Sequence, residues 1–336
     1  MKRFRWVALV AALLLVAAAC GDDDDVAATT AAPAATATTA ADTVDLSQGS
    51  DLTFHMVTHS DDGVFWSVVK KGAEDAAAAL GVNMVWSPSS NDPTKQVQDI
   101  EAAIAAGSSG IGVSLANPTA VVPAAKAAVD AGIPVVTLNS GVNDYLGIGA
   151  LTHVGQTEIV AGEGAGLRFN NLGATNVLCA RQEQGNIGLE ERCTGLANTF
   201  SGSVDSQFIG LDTEPETQIA TIAAILAADP SIDGVLGTGP NVAVRAVDAG
   251  AQAGVDLVIG GFDVSNDIIA ALNAGDVDFT VDQQQYLQGY LPIVLMYLFV
   301  TNLNTAGGGL PILTGPGFID TANVAEVEAL VNAGTR

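Results

Sequence analysis

Residues 52–80, LTFHMVTHSDDGVFWSVVKKGAEDAAAAL, decide how the rest of the chain is read. The run 52–58 is apolar and rich in β-branched side chains, which marks a buried strand. A polar turn follows, His59-Ser60-Asp61-Asp62-Gly63. Phe65, Val68, Val69, Ala73, Ala76 and Leu80 then recur at helical spacing, with Lys70, Lys71, Glu74 and Asp75 on the opposite face. Strand, short loop and helix make half of a βαβ unit. In open α/β sheets, ligands bind where such loops leave the carboxyl ends of the strands. This loop sets His59, Asp61 and Asp62 beside the aromatic pair Phe65-Trp66. Flat rings next to hydrogen-bonding groups suit a guest with an apolar C–H face and a polar edge, such as a sugar or polyol. The plainer reading makes the rings core at a helix start, and His59 and the aspartates solvated loop residues.

The same alternation continues outward. Strands are expected at 82–87, 110–115, 133–138 and 151–154, between helices that begin at Asn91-Asp92-Pro93 and Asn117-Pro118-Thr119. After a helix over 157–169 the pattern starts again. Strands fall at 175–180, 206–211, 234–237, 257–262 and 277–282, and helices at 189–200, 216–228, 242–253 and 266–274. Segment 286–301 is strongly apolar but contains Pro292 and is too short to span a bilayer, so it reads as a buried helix. Regular alternation means parallel sheets covered on both faces. Residues 96–139 also line up with 218–263, at an offset of roughly 120 residues that is too long for a solenoid repeat. Two similar doubly wound α/β lobes explain this echo. Their strand-end loops would face each other across a cleft, with Asn139 closing one copy and Asp263 the other.

Size and composition bound the possibilities. A chain of 336 residues can bury one large core or two ordinary ones. Thirty-seven acidic residues against 12 Lys and Arg give a net charge of −25, which argues against nucleic-acid binding. That charge suits an exported protein kept apart by self-repulsion. Lys2, Arg3 and Arg5 precede the apolar run 6–19 and then Cys20. The run, about fourteen residues, has the length of an export signal rather than of a transmembrane helix. Val16-Ala17-Ala18-Ala19-Cys20 resembles the lipobox of bacterial lipoproteins, although Ala17 stands where Leu or Val is commoner. A lipidated Cys20 would anchor the protein to the extracytoplasmic face of the cell membrane by lipid alone. An ordinary signal peptide cut near Ala19 is the other reading. Residues 21–49 are of low complexity with few large apolar side chains, and read as a disordered tether. In an exported chain the remaining pair, Cys179 and Cys193, is most simply a disulfide, stapling residues 181–188 at a strand mouth; two inert buried thiols are the alternative. Asn186 and Glu190, between these cysteines, join the candidate site residues.

Several stretches together carry a family resemblance: Phe65-Trp66 with Lys71-Gly72-Ala73, Asn91-Asp92-Pro93, Ala131-Gly132-Ile133-Pro134-Val135, Gly260-Gly261-Phe262-Asp263 and Asp282-Gln283. In order, they resemble the type I periplasmic binding proteins, in particular the ribose-like branch that serves ABC importers. The resemblance implies two lobes joined by three hinge crossings, near 153–155, 283–284 and 312–314. The N-terminal lobe would comprise 50–153 plus 284–312, and the C-terminal lobe 154–283 plus 313–336. It implies a monomer that closes on a small carbohydrate or polyol and hands it to permease subunits, with no cofactor. Phe65 and Trp66 match the aromatics that stack on the sugar, Asn91 the polar residue after the second strand, and Asp263 and Gln283 a carboxylate and hinge amide. Departures accompany these matches. Asn139-Ser140 stands where Asp-Arg is usual, Glu190 where an Arg is expected with Arg192 nearby, and Thr213 where a Phe is expected. Gly239-Pro240 replaces Asn-Asp, with Asn241 next. Ribose itself therefore fits poorly, and a related pentose, hexose or polyol fits better.

Other chemistry finds little material. Gly162-Glu163-Gly164-Ala165-Gly166 has the wrong spacing for a dinucleotide fingerprint and reads as close helix packing. His55 and His59 lie on a strand and its loop, so no zinc pair is implied. With three His residues and no nucleophile elbow, no catalytic residue is assigned. An exported sensor handing its ligand to a receptor, and more distantly a sugar-modifying enzyme, are the competing functions.

Overall fold

The computed structural model describes residues 51–61 and 63–336. The export signal, the tether, Cys20 and Asp62 lie outside the described residues.

The chain opens with β1 (Thr53–Thr58) and α1 (Gly63–Leu80), whose buried Phe65, Trp66, Val69, Ala73 and Ala76 recur at the helical period. Next come β2 (Asn83–Pro88), α2 (Pro93–Ala105), β3 (Gly110–Val113), α3 (Pro118–Asp130), β4 (Val135–Leu138), the one-turn α4 (Tyr145–Ile148) and β5 (Thr152–Gly155). The Asp92 carboxylate accepts from the amides of Thr94 and Lys95 to start α2, and Asn117 does the same for Ala120 in α3. A second run holds α5 (Glu158–Leu172), β6 (Asn176–Arg181), α6 (Ile187–Thr199), β7 (Ser203–Phe208) and α7 (Pro215–Ala228). It continues with β8 (Gly234–Gly237), α8 (Pro240–Ala253), β9 (Val258–Phe262), α9 (Asn266–Ala274) and β10 (Phe279–Asp282). The last elements are α10 (Gln285–Asn302), β11 (Ile312–Leu313), β12 (Gly317–Asp320) and α11 (Val324–Asn332).

These strands form two six-stranded sheets, β11-β5-β4-β3-β1-β2 and β12-β10-β9-β8-β6-β7. The first is parallel throughout, so the fold is the two-lobed, doubly wound α/β architecture. The second is parallel except where β12 runs against β10. That edge strand was not expected. The chain re-enters the second sheet from the carboxyl ends of its strands after a short link at 314–316, which leaves room only for an antiparallel pairing. The other two passages between sheets lie at 156–157 and at Gln283-Gln284.

Each sheet is buried on both faces. Phe54, Met56 and Leu138 pack with Val69 and Ala73 of α1 and Ile293 and Met296 of α10, while Val57, Ile111 and Val113 face Ile100 of α2 and Val121 of α3. In the second sheet Cys179, Leu236 and Phe262 pack under α5 and α6, and Leu178, Val235 and Ile259 under α7, α8 and α9. The apolar segment around Pro292 is the buried helix α10, and among the described residues no helix is long and apolar enough to cross a membrane. A Cβ on Gly162 would strike the carbonyl of Arg192, and one on Gly195 that of Ile159, so the glycines of α5 and α6 exist to let these helices touch. Cys179 and Cys193 are joined in a disulfide that fastens β6 to α6.

Two local expectations moved. β7 runs from Ser203 to Phe208 rather than over 206–211, because its pairing with Asn176–Arg181 fixes the register of a half-exposed edge strand. Its apolar end, Ile209 and Leu211, instead begins the loop to α7. Helix α11 was not expected although its buried Val324, Val327 and Val331 recur at helical spacing, and the turn α4 is too short to show a period.

Candidate functional site

The carboxyl ends of both sheets face one another across a cleft that holds about 120 Å³ of water-accessible space. On the first-lobe side, Phe65 and Trp66 open α1 with ring centroids 5.0 Å apart, edge to face. His59 meets Trp66 in the same geometry, also at 5.0 Å. Both rings of the pair are rooted in the lobe core and also line the cleft. Ser90, Asn91, Asn139 and Ser140 complete this wall.

The second-lobe wall comes from Gln182, Glu183, Asn186, Arg192, Asp212, Asn241 and Asp263, with Leu211 and Pro240 as its apolar members. Gln283, in the passage that follows β10, lines the cleft between the walls. Several of these residues adopt left-handed backbone angles that are uncommon outside glycine: Asn91 at φ 60°, Asn139 at φ 59° and Asp263 at φ 71°. Asn and Asp tolerate this region better than other side chains, and such strained backbones gather at functional sites. Asn139 and Asp263 are also the matching strand-end residues of the internal echo, so both lobes aim the same point of the fold into the same space.

Hydrogen bonds tie the walls together. His59 donates its backbone N–H to Ser114 Oγ at 2.8 Å, and its Nδ1 shares the same oxygen at 2.8 Å. This fixes the ring so that Nε2 faces the other lobe, 3.5 Å from Glu183 Oε2 and 3.4 Å from Asn186 Nδ2. Asn186 donates to Glu183 at 2.7 Å and caps α6 by accepting from the Gly188 amide at 2.9 Å. Beside this bridge the Ile187 amide donates to the Ala116 carbonyl at 3.0 Å, and on the rim Asn143 donates to Glu191 at 2.8 Å. The structure is thus a closed arrangement of the lobes.

Arg192 is a buried member of the second-lobe wall. Its Nε and Nη2 fork onto Glu158 at 2.6 and 3.1 Å, its Nη1 donates to the Thr238 carbonyl at 2.7 Å, and the Phe262 ring lies 4.3 Å from the guanidinium carbon. Burial alone would lower its pKa, but the Glu158 carboxylate outweighs it and raises it. Burial pushes the Asp263 carboxyl up to about 7, against the pull of Arg192 and of the Gln283 amide that donates to Oδ1 at 2.6 Å. Burial would raise Glu183 as well, yet the hydrogen bonds from His59 and Asn186 hold it below the usual carboxylate range.

Of the residues expected from sequence, His59, Phe65, Trp66, Asn91, Asn139, Asn186, Asn241, Asp263 and Gln283 come together here. Asp61 and Glu190 do not. Asp61 is exposed, since the turn points its carboxylate to water while His59 and Ser60 are buried. Glu190 is half-exposed and reaches Arg181 at 3.5 Å. The inward stripe of α6 is Leu189, Arg192, Cys193 and Leu196, and Glu190 lies about 100° around the helix from its neighbour Leu189. Arg192 therefore occupies the cleft where Glu190 was expected. Thr213 is exposed, and Leu211 supplies the apolar contact nearby. Gln182, Glu183 and Asp212 were missed. Each follows the end of a strand or predicted strand, so the rule that ligands meet strand carboxyl ends could have found them.

Among the described residues no group of His, Cys, Asp and Glu is placed to hold a metal ion. The chain matches the periplasmic binding protein domain over residues 54–303 and belongs to that family, whose members bind solutes rather than transform them. It is 28% identical over 294 residues to the xylose/arabinose-binding protein XylF of Sulfolobus acidocaldarius, covering 80% of this chain and 71% of that one. The ribose import binding protein RbsB of Haemophilus influenzae is 27% identical, over 75% of this chain and 86% of its own. A solved carbohydrate transporter protein from Acidothermus cellulolyticus 11B, in complex with myo-inositol, superposes with a TM-score of 0.82 at 40% identity. That match covers 85% of this chain and 99% of the other.

Proposed function

We propose that this protein holds a small cyclic sugar or polyol between its lobes and delivers it to the permease of an ABC importer, with myo-inositol the first guest to test. The observation that carries this reading is the meeting of Phe65 and Trp66 with Asp263 and Gln283 in one cleft. Ring faces take the C–H side of a saturated ring, while the carboxylate accepts and the amide both donates and accepts, so together they read hydroxyl direction. The likeness to relatives named for pentoses, and at 40% identity to a protein in complex with myo-inositol, supports the class of guest.

A guest that touches both walls favours the closed arrangement over the open one, and closure turns on the three passages between the sheets. The permease then reads the closed surface. The protein works as a monomer on the extracytoplasmic face, tethered through a lipid on Cys20. A thermal-shift screen of pentoses, hexoses, inositols and sugar alcohols tests the reading. A true guest at about a hundred times its Kd stabilises the native state by about 2.7 kcal/mol. A panel in which nothing shifts the melting temperature contradicts it.

A further inference from the structure

The charges in and behind the cleft do not balance. Glu183, Asp212 and Asp263 line it, and Glu158 lies behind Arg192. Two guanidinium groups answer these four carboxylates, and both are already committed: Arg192 forks onto Glu158, and Arg245 Nη1 donates to Asp212 Oδ1 at 2.9 Å. The lysines Lys70, Lys71, Lys95 and Lys126 pair with carboxylates on their own helices and stay outside the cleft. His59 adds a positive charge only when protonated. Glu183 then has His59 Nε2 at 3.5 Å as its nearest partner, and Asp263 has no cation of its own, only the field of an Arg192 already committed to Glu158.

Both carboxylates have acceptor capacity to spare. A carboxylate offers about four lone-pair sites, and Gln283 takes one at Asp263 Oδ1, while Asn186 and His59 share Glu183 Oε2. A neutral polyol would fill such sites but leave the excess of carboxylates over guanidinium groups in place. An acidic sugar would set a like charge against them at close range. A protonated amine supplies three donors and the missing positive charge together. The net charge of −25 adds a long-range attraction of the same sign.

Building on the polyol reading above, we infer that this cleft selects its guest by charge and prefers a cyclic polyol bearing a basic amine over the neutral and acidic counterparts. Calorimetric titration of the purified protein at neutral pH tests this with matched sets: glucose, glucosamine and glucuronate, and myo-inositol with its monoamino analogue. The amine binds about tenfold tighter or more than its neutral partner, as expected for a charge-assisted hydrogen bond, and glucuronate gives no heat. In Asp263→Asn and in Glu183→Gln the ratio of amine to neutral affinity falls toward one, with circular dichroism reporting the fold of each. Neutral guests that bind as well as the amines, or glucuronate that binds alongside glucose, overturn the inference and leave the polyol reading standing. Silence from every member of both sets overturns the two together.

Discussion

Asp263 is pulled in opposite directions by its surroundings. Its carboxyl, ordinarily near 3.8, is pushed up to about 7 by burial, with Arg192, Glu158 and Asp282 as its charged neighbours. A folded pKa above the unfolded one means that its contribution to stability is complete below pH 3.8 and is lost as pH rises through 7. At about pH 8, Asp263→Asn should therefore stabilise the empty protein by about 2–4 kcal/mol in urea unfolding while weakening polyol binding. A variant less stable than its parent at that pH would contradict the assignment. His153 works with the opposite sign. Burial holds it down from 6.5 to about 3, its Nδ1 is bonded to Thr137 Oγ1 at 2.9 Å, and its Nε2 is buried without a partner. Stability from this neutral ring is present above pH 6.5 and lost as pH falls toward 3, about 2–3 kcal/mol of it by roughly pH 4.5. His153→Leu should flatten that acid limb of the stability curve, and an unchanged slope would remove His153 as its cause. Asp263 was legible in the sequence because it closes a strand at the echo of Asn139. Glu183 follows the end of β6 and was within reach of the same rule, but its pairing with His59 was not, because His59 arrives from the other lobe.

At the scale of elements, the loop after β6 together with α6 is the largest single contributor to the second wall. The loop supplies Gln182, Glu183 and Asn186, and the helix supplies Arg192. Cys179 on β6 and Cys193 on α6 close a segment with a sequence separation of 14, so the covalent link holds the loop at the strand mouth. The Cys179→Ala/Cys193→Ala double variant should lose about 3 kcal/mol in urea unfolding and bind its guest more weakly. Undiminished stability and affinity would show that packing alone positions the loop. Strands and helices with a clear period, such as β1 and α1, could be read directly, since the apolar stripe that marks them is the one the core requires. The edge strand β7 slipped by three positions in its reading, 206 against 203, because a half-exposed strand takes its limits from the partner it pairs with. Glu190 misled because adjacent helical positions face different ways, so a candidate placed by alignment alone missed the inward stripe.

For the whole molecule, the cleft and the passages between lobes form one polar network. Gln283 donates to Asp263 and accepts from Gln288 Nε2 at 2.8 Å; Gln288 also donates to Thr314 Oγ1 at 3.2 Å. Gln284 donates to the Thr314 carbonyl at 2.6 Å, so two of the three passages are bonded to each other and to the carboxylate of the site. In the proposed function this network is the route by which occupancy of the cleft would bear on the angle of the lobes. The two-lobed plan was visible in the sequence as the echo of 96–139 in 218–263. The bonds that close the cleft were not, since each joins residues far apart in the chain. The most direct measurement is a crystal structure of the protein grown with myo-inositol or the best guest of the screen. It should show a single ring against Phe65 and Trp66, within hydrogen-bonding distance of Asp263 and touched by residues of both lobes. A guest bound on an outer surface, with the cleft holding only water, would contradict the account.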